Sequence, residues 1–169
     1  MALKKTSETI VISATVFEPA PSTFTQQRVD LQLNPLDNEV FVVQAINLDA
    51  GAPDAVAATN TQTLGSLSTT SRTTVGGLAS SDVLARINMD IRAAGFVDGG
   101  VGFTQVAGET PASTLDYIGI IATNDFFLQI AGNGNVNPKQ MSCKVYGYRA
   151  KADSATYAAL VQSELLSQN

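Results

Sequence analysis

Glu39-Val40-Phe41-Val42-Val43-Gln44-Ala45-Ile46-Asn47-Leu48 decides how the rest of this chain is read. The segment is apolar on both parities: Val40, Val42, Ile46 and Leu48 fall on one, Phe41, Val43 and Ala45 on the other. A strand with apolar side chains on both faces needs cover on both sides, so it reads as a central strand of a β-sandwich. Asn34, Pro35, Asp37 and Asn38 immediately upstream are turn formers and keep it from starting sooner.

Working outward towards the N-terminus, Thr23 to Leu33 alternates Arg28, Asp30 and Gln32 with Val29, Leu31 and Leu33, a strand with one wet face. The short Pro/Asn/Asp connection predicts that it forms an antiparallel pair with the Glu39 segment. Ile10 to Phe17 reads as a first strand ended by Glu18-Pro19-Ala20-Pro21. Residues 1–7, with Lys4 and Lys5, read as a flexible polar arm. Two lysines ahead of an apolar stretch raise the question of a secretory leader. Glu8, Ser13 and Thr15 make a poor hydrophobic region for one.

Towards the C-terminus, Asp49 to Gly77 reads as a long irregular loop rich in Thr, Ser and Gly, anchored by Leu64, Leu67 and Val75. Ser80 to Arg92 fits two templates: strict alternation broken only by Leu84, and a helical stripe of Val83, Leu84, Ile87 and Ile91. The alternation favours a strand. A glycine-rich crossing at Gly95 to Gly102 and a short strand at Val101 to Val106 follow, then a loop at Gly108 to Ser113. Leu115 to Thr123 and Phe126 to Ala131 read as two strands joined by a tight Asn124-Asp125 turn, or as one bent strand. Gln140 to Ala150 is the last strand, Met141, Cys143 and Val145 facing one way and Ser142, Lys144, Tyr146 and Tyr148 the other. Asp153 or Ser154 caps a final helix whose apolar stripe is Tyr157, Leu160, Val161 and Leu165. The resulting fold class is all-β: an antiparallel β-sandwich of jelly-roll or Greek-key type over residues 8–150, with a short C-terminal α-helix within residues 151–169.

Composition narrows the function. With 169 residues and 44% hydrophobic content the chain is long enough for one domain with a real core. No apolar run approaches the roughly 20 residues of a membrane-spanning helix. A formal charge of −5 and ten scattered basic residues argue against a broad nucleic-acid-binding surface. The absence of histidine removes the commonest general base and zinc ligand, and the single Cys143 cannot pair within the chain. Charged residues are 15% of the chain, against a usual share of about 25%. Such a surface suits contact with neighbouring copies; a threonine-rich exterior of an ordinary β-protein is the plainer explanation.

No motif assigns chemistry. Gly99-Gly100-Val101-Gly102 and Gly132-Asn133-Gly134 lack the residues of a phosphate loop and read as turns. The carboxylate pairs Asp49/Asp54, Asp90/Asp98 and Asp116/Asp125 have no diagnostic spacing for a glycosidase or a calcium loop. Cys143 reads as a small buried hydrophobe. Tyr146 and Tyr148 share one strand face, either as a stacking platform or, more simply, packed under the final helix. No catalytic, cofactor-binding or metal-ligating residue is therefore assigned.

The polar arm, the two-faced strand Glu39 to Leu48, the Thr/Ser/Gly loop at Asn60 to Gly77 and the helix at Tyr157 to Leu166 together resemble a single jelly-roll virion protein of icosahedral capsids. The resemblance covers the whole chain at the level of architecture. It implies a non-enzymatic structural protein of the virion that self-assembles into a symmetric shell, with copies of itself and other virion proteins as partners. The arm is not strongly basic, so genome contact reduces to Lys4 and Lys5. Two further expectations stay open: a carbohydrate-binding or adhesive sandwich, calcium-dependent or not, and a two-carboxylate hydrolase.

Overall fold

The computed structural model describes residues 3–96, 103–108 and 115–166, with backbone alone for 103–108. The described residues form ten strands: β1 (Leu3–Lys5), β2 (Ile10–Phe17), β3 (Thr25–Asp30), β4 (Glu39–Ala50), β5 (Thr61–Ser68), β6 (Val83–Arg92), β7 (Phe103–Gly108), β8 (Gly119–Ile121), β9 (Asp125–Asn133) and β10 (Gln140–Ala152). One helix, α1 (Ser154–Leu166), follows. The strands form two antiparallel sheets. In the first, β4 separates β10 from β8, and β2 and β1 lie end to end along the other edge of β10. The second has the order β3-β9-β5-β6-β7.

The pairs β2·β10, β3·β9 and β4·β8 are nested one inside another around the β5·β6 hairpin. Rolling this long ribbon adds the pairs β10·β4 and β9·β5, which close each sheet. That is the jelly-roll plan, with β7 as an added strand. It also corrects two expectations of adjacency. β3 and β4 lie in opposite sheets and are not an antiparallel pair. β8 and β9 likewise separate, so Asn124 is a crossing between sheets and not the corner of a hairpin. Asn124 serves that crossing with both its backbone and its side chain: its carbonyl accepts the Leu31 N–H at 2.8 Å and its Oδ1 accepts the Leu33 N–H.

The main core lies between the sheets. Phe41, Val43, Met141, Cys143 and Val145 meet Leu67, Phe126, Leu128 and Ile130, all buried. A second cluster lies on the outer side of the first sheet, where Val40, Val42, Ala122, Ala150 and Ala152 are covered by Tyr157, Leu160 and Val161 of α1. β4 is thus central and covered on both faces, as its pattern demands. One detail differs: Gln44 has no partner across the β10 ladder and makes a bulge. The extra residue reverses the facing after it, so Ile46 and Leu48 join Phe41 and Val43 in the main core instead of continuing the row of Val40 and Val42. Leu84 in β6 behaves in the same way. It is the one residue that broke the alternation, and it is the unpaired residue between Ala85 and Val83 in the β5 ladder.

Three further expectations are revised. The loop expected over Asp49 to Gly77 contains β5, a fully paired strand of the second sheet; its Thr61, Thr63, Ser66, Leu67 and Ser68 are buried. The first seven residues are not simply an arm, because β1 pairs Leu3 with Ala152 and Lys5 with Ala150. Leu165 of the expected helix stripe is 60% exposed, and its place against the sheet is taken by Glu164 at 8%. Gly99-Gly100-Val101-Gly102, Asp98 and most of the Gly108 to Ser113 loop lie outside the described residues.

Candidate functional surfaces

Among the described residues, the acidic side chains singled out by the sequence form no cluster of three or more. Asp54 follows β4, where its carboxylate accepts the Val136 and Asn137 N–H groups at 2.9 and 2.8 Å and the Lys139 ammonium at 2.6 Å. The Lys139 hydrogen bond, reinforced by those amides, holds its pKa down to about 2. Beside it Glu18, only 5% exposed, accepts the N–H groups of Gly132 and Lys139 at 2.5 and 3.0 Å. The two carboxylates staple the β9–β10 turn to the ends of β2 and β4. They neutralise backbone donors and one lysine, and leave no oxygen aimed at a shared point. Asp90 is buried on β6 beside Asn88 at 3.1 Å and Arg92 at 4.0 Å. Asp125 pairs with Arg28 at 2.6 Å, while Asp116 is exposed. Among the described residues no three metal-ligating side chains come together.

Cys143 points into the core, and burial pushes its thiol up to about 11, which suits packing rather than nucleophilic attack. The two tyrosines part company. Tyr148 packs in the cluster under α1 with the Lys5 ammonium 5.0 Å above its ring, whereas Tyr146 lies beyond the helix on the same face. Lys5 also reaches Glu8 at 3.6 Å. Lys4 stands directly across from Lys151 in the β1·β10 ladder.

Two polar constructions escaped the sequence. On the outer side of the second sheet, Gln26, Gln129, Ser66 and Ser68 form a row across β3, β9 and β5. Ser66 donates to Gln129 at 2.7 Å, and Gln129 donates to Ser68 and Gln26 at 2.7 and 2.9 Å. The β5–β6 connection folds over this row: Gly76 N–H reaches Ser66 at 3.0 Å, and Arg72 grips both oxygens of Asp82 at 2.8 and 2.9 Å. The second is Glu164, whose two oxygens accept the Ala122 and Thr123 N–H groups at 2.7 and 2.9 Å and so bind α1 to the end of β8. A sequence signal for Glu164 existed, since it sits at i+3, i+4 and i+7 from Val161, Leu160 and Tyr157, inside the apolar stripe. Nothing comparable marked the Ser/Gln row.

With α1 over one half of the first sheet and the β5–β6 connection over the second, the sheet surface left uncovered by the described residues is the other half of β2, β10 and β4. There Ser13, Thr15, Asn47, Asp49, Ser142 and Lys144 line a shallow open depression of about 410 Å³. Its floor is shallow because Ser13, Thr15 and Ser142 are short; Thr15 and Ser142 share one hydrogen bond at 3.1 Å. Lys144 and Asp49 are diagonal neighbours in the β10·β4 ladder, where Lys144 stands opposite Asn47 and Ser142 opposite Asp49, and both are exposed. Large apolar side chains stand at the rim of the same face, Val11 at 50% and Phe17 at 62% exposure. Elsewhere Leu36 at 94%, Val136 at 65% and Leu166 at 80% also face outward. These exposed side chains offer surfaces for contact. Neither the family models nor the curated proteins contain a match to this chain.

Proposed function

We propose that this protein is a non-enzymatic structural subunit of a virion, which assembles with copies of itself and with other virion proteins into a symmetric shell. The observation that carries the reading is a jelly-roll sandwich that turns large apolar side chains outward while four of its carboxylates are engaged within the fold. Asp54, Glu18, Asp82 and Glu164 all serve their own backbone or cations. Phe17, Leu36, Val136, Leu165 and Leu166 are each at least 60% exposed. A surface so poor in charge gains by meeting another surface. Genome contact in this reading falls to Lys4, since Lys5 is engaged with Tyr148 and Glu8. Sedimentation velocity over a range of concentration and salt tests it. Growth from subunits to large species of defined size supports assembly; a monomer under every condition overturns it.

A second reading, saccharide binding, is favoured by the open depression across β2, β10 and β4, where Asn47, Asp49 and Lys144 are exposed. A glycan array run with and without a calcium chelator tests that reading, and silence in both arms removes it.

A further inference from the structure

We infer that two copies of this chain join through the free edges of their β2 strands, running antiparallel about a two-fold axis and extending the first sheet from one subunit into the next. The inference rests on the assembly reading for its biological setting and adds the surface, the partner segment and the register.

β2 pairs with β10 along one edge; no other strand among the described residues pairs with it. It is eight residues long, Ile10 to Phe17, with no charge and no proline anywhere in it. An edge of that kind is a template for another strand, and proteins ordinarily blunt such edges with lysine, proline, brevity or a bulge. The other edges whose side chains are described are blunted. β1 and β8 are three residues long, β1 carries Lys4 and Lys5, and β3 carries Arg28 and Asp30. β2 has none of these devices.

Its sequence is also complementary to itself. Directly opposed residues in an antiparallel pair share a face, so a two-fold pairing must match odd positions with odd and even with even. Centring the pair on Ala14 sets Val11 opposite Phe17 and Ser13 opposite Thr15 on the outer face, and Ile12 opposite Val16 on the inner. The first is an aromatic–β-branched pair, the second a hydroxyl pair, the third two β-branched chains; each is a favourable cross-strand combination. It would also cover Val11 and Phe17, which are 50% and 62% exposed in the single chain. Centring on Ser13 or on Thr15 instead sets Val11 against Thr15 or Ser13 against Phe17 and loses the match.

The test mixes two single-cysteine variants, S13C and T15C, under mild oxidant. Opposed residues have Cβ atoms about 4.5–5.5 Å apart and diagonal ones about 7–8 Å, so a disulfide forms between directly opposed positions alone. Cys143 is buried and supplies no background. The expected result is a cross-linked dimer in the mixture and little in either variant alone. In parallel, V11K/F17K, at exposed positions and with its fold checked by circular dichroism, is expected to weaken dimerisation at least tenfold. Equal cross-linking in S13C alone overturns the register. No cross-link in the mixture together with an unchanged dimer in V11K/F17K overturns the edge contact. Electron microscopy of the same samples separates the two levels: particles without cross-links retain the shell and reject this edge, and cross-linked dimers without particles do the reverse.

Discussion

Glu164 secures the C-terminal helix by a means that no leucine on it supplies. Its carboxylate is buried and occupies two backbone N–H groups at the end of β8, so E164A leaves both donors without a partner in a dry place. The expected cost to helix docking is about 1–3 kcal/mol, read as a lower melting temperature with faster amide exchange over 154–166. Burial raises the Glu164 pKa, with Asp125 adding to the rise and the hydrogen bonds opposing it. A carboxyl whose folded pKa lies above its unfolded value stabilises fully below the unfolded value and loses that contribution as pH rises through the folded one. Helix docking in the wild type is therefore expected to weaken from mildly acidic towards neutral pH, a trend that E164Q abolishes; a melting temperature with the same slope in both proteins would contradict it. Thr63 presents the opposite case. It is fully buried in β5 and its hydroxyl has no partner. T63V keeps the shape and removes the unpaired group, so it should stabilise the protein by about 1 kcal/mol in urea titrations.

Among the elements, β4 was legible and β5 was not, for opposite reasons. β4 announces itself because apolar residues on both faces have few uses other than a central strand. β5 reads Thr-Gln-Thr-Leu-Gly-Ser-Leu-Ser and carries the composition of a loop. The hydroxyls of its Ser66 and Ser68 are buried because the β5–β6 connection covers them, and Gln129 bonds both, a partnership between residues more than sixty positions apart that no local pattern displays. Gly65 adds to the disguise. A Cβ there would lie 2.2 Å from Met141 Sδ, so any larger residue would have to displace the Met141 side chain from the core. The cover depends on Arg72 and Asp82, whose side chains are 9% and 1% exposed. D82A strands a buried guanidinium and the Thr70 hydroxyl, and should cost about 3–5 kcal/mol with the connection 69–82 the first segment cut by protease. Bulges account for the rest of the misreading at this scale, since one extra residue at Gln44 turns Ile46 and Leu48 to the opposite face.

For the whole molecule, strand count and turn placement were enough to point to a jelly roll, but pairing was not. Sequence neighbours such as β3 and β4 part into different sheets because the ribbon rolls after it pairs, and rolling is a property of the complete chain. The candidate surfaces follow the same division. The carboxylates singled out along the chain have no diagnostic spacing, and two of them, Asp54 and Asp125, serve Lys139 and Arg28 in the fold. Which half of the first sheet stays uncovered depends on where α1 and the β5–β6 connection come to rest. In the proposed assembly, what remains uncovered among the described residues, the depression across β2, β10 and β4 together with the free edge of β2, is where one copy meets its neighbours. Negative-stain electron microscopy of the purified protein at high concentration tests this most directly. Closed particles of uniform diameter, lost in the V11K/F17K variant, are the predicted result; dispersed single subunits in the wild-type protein at every concentration and salt would contradict it.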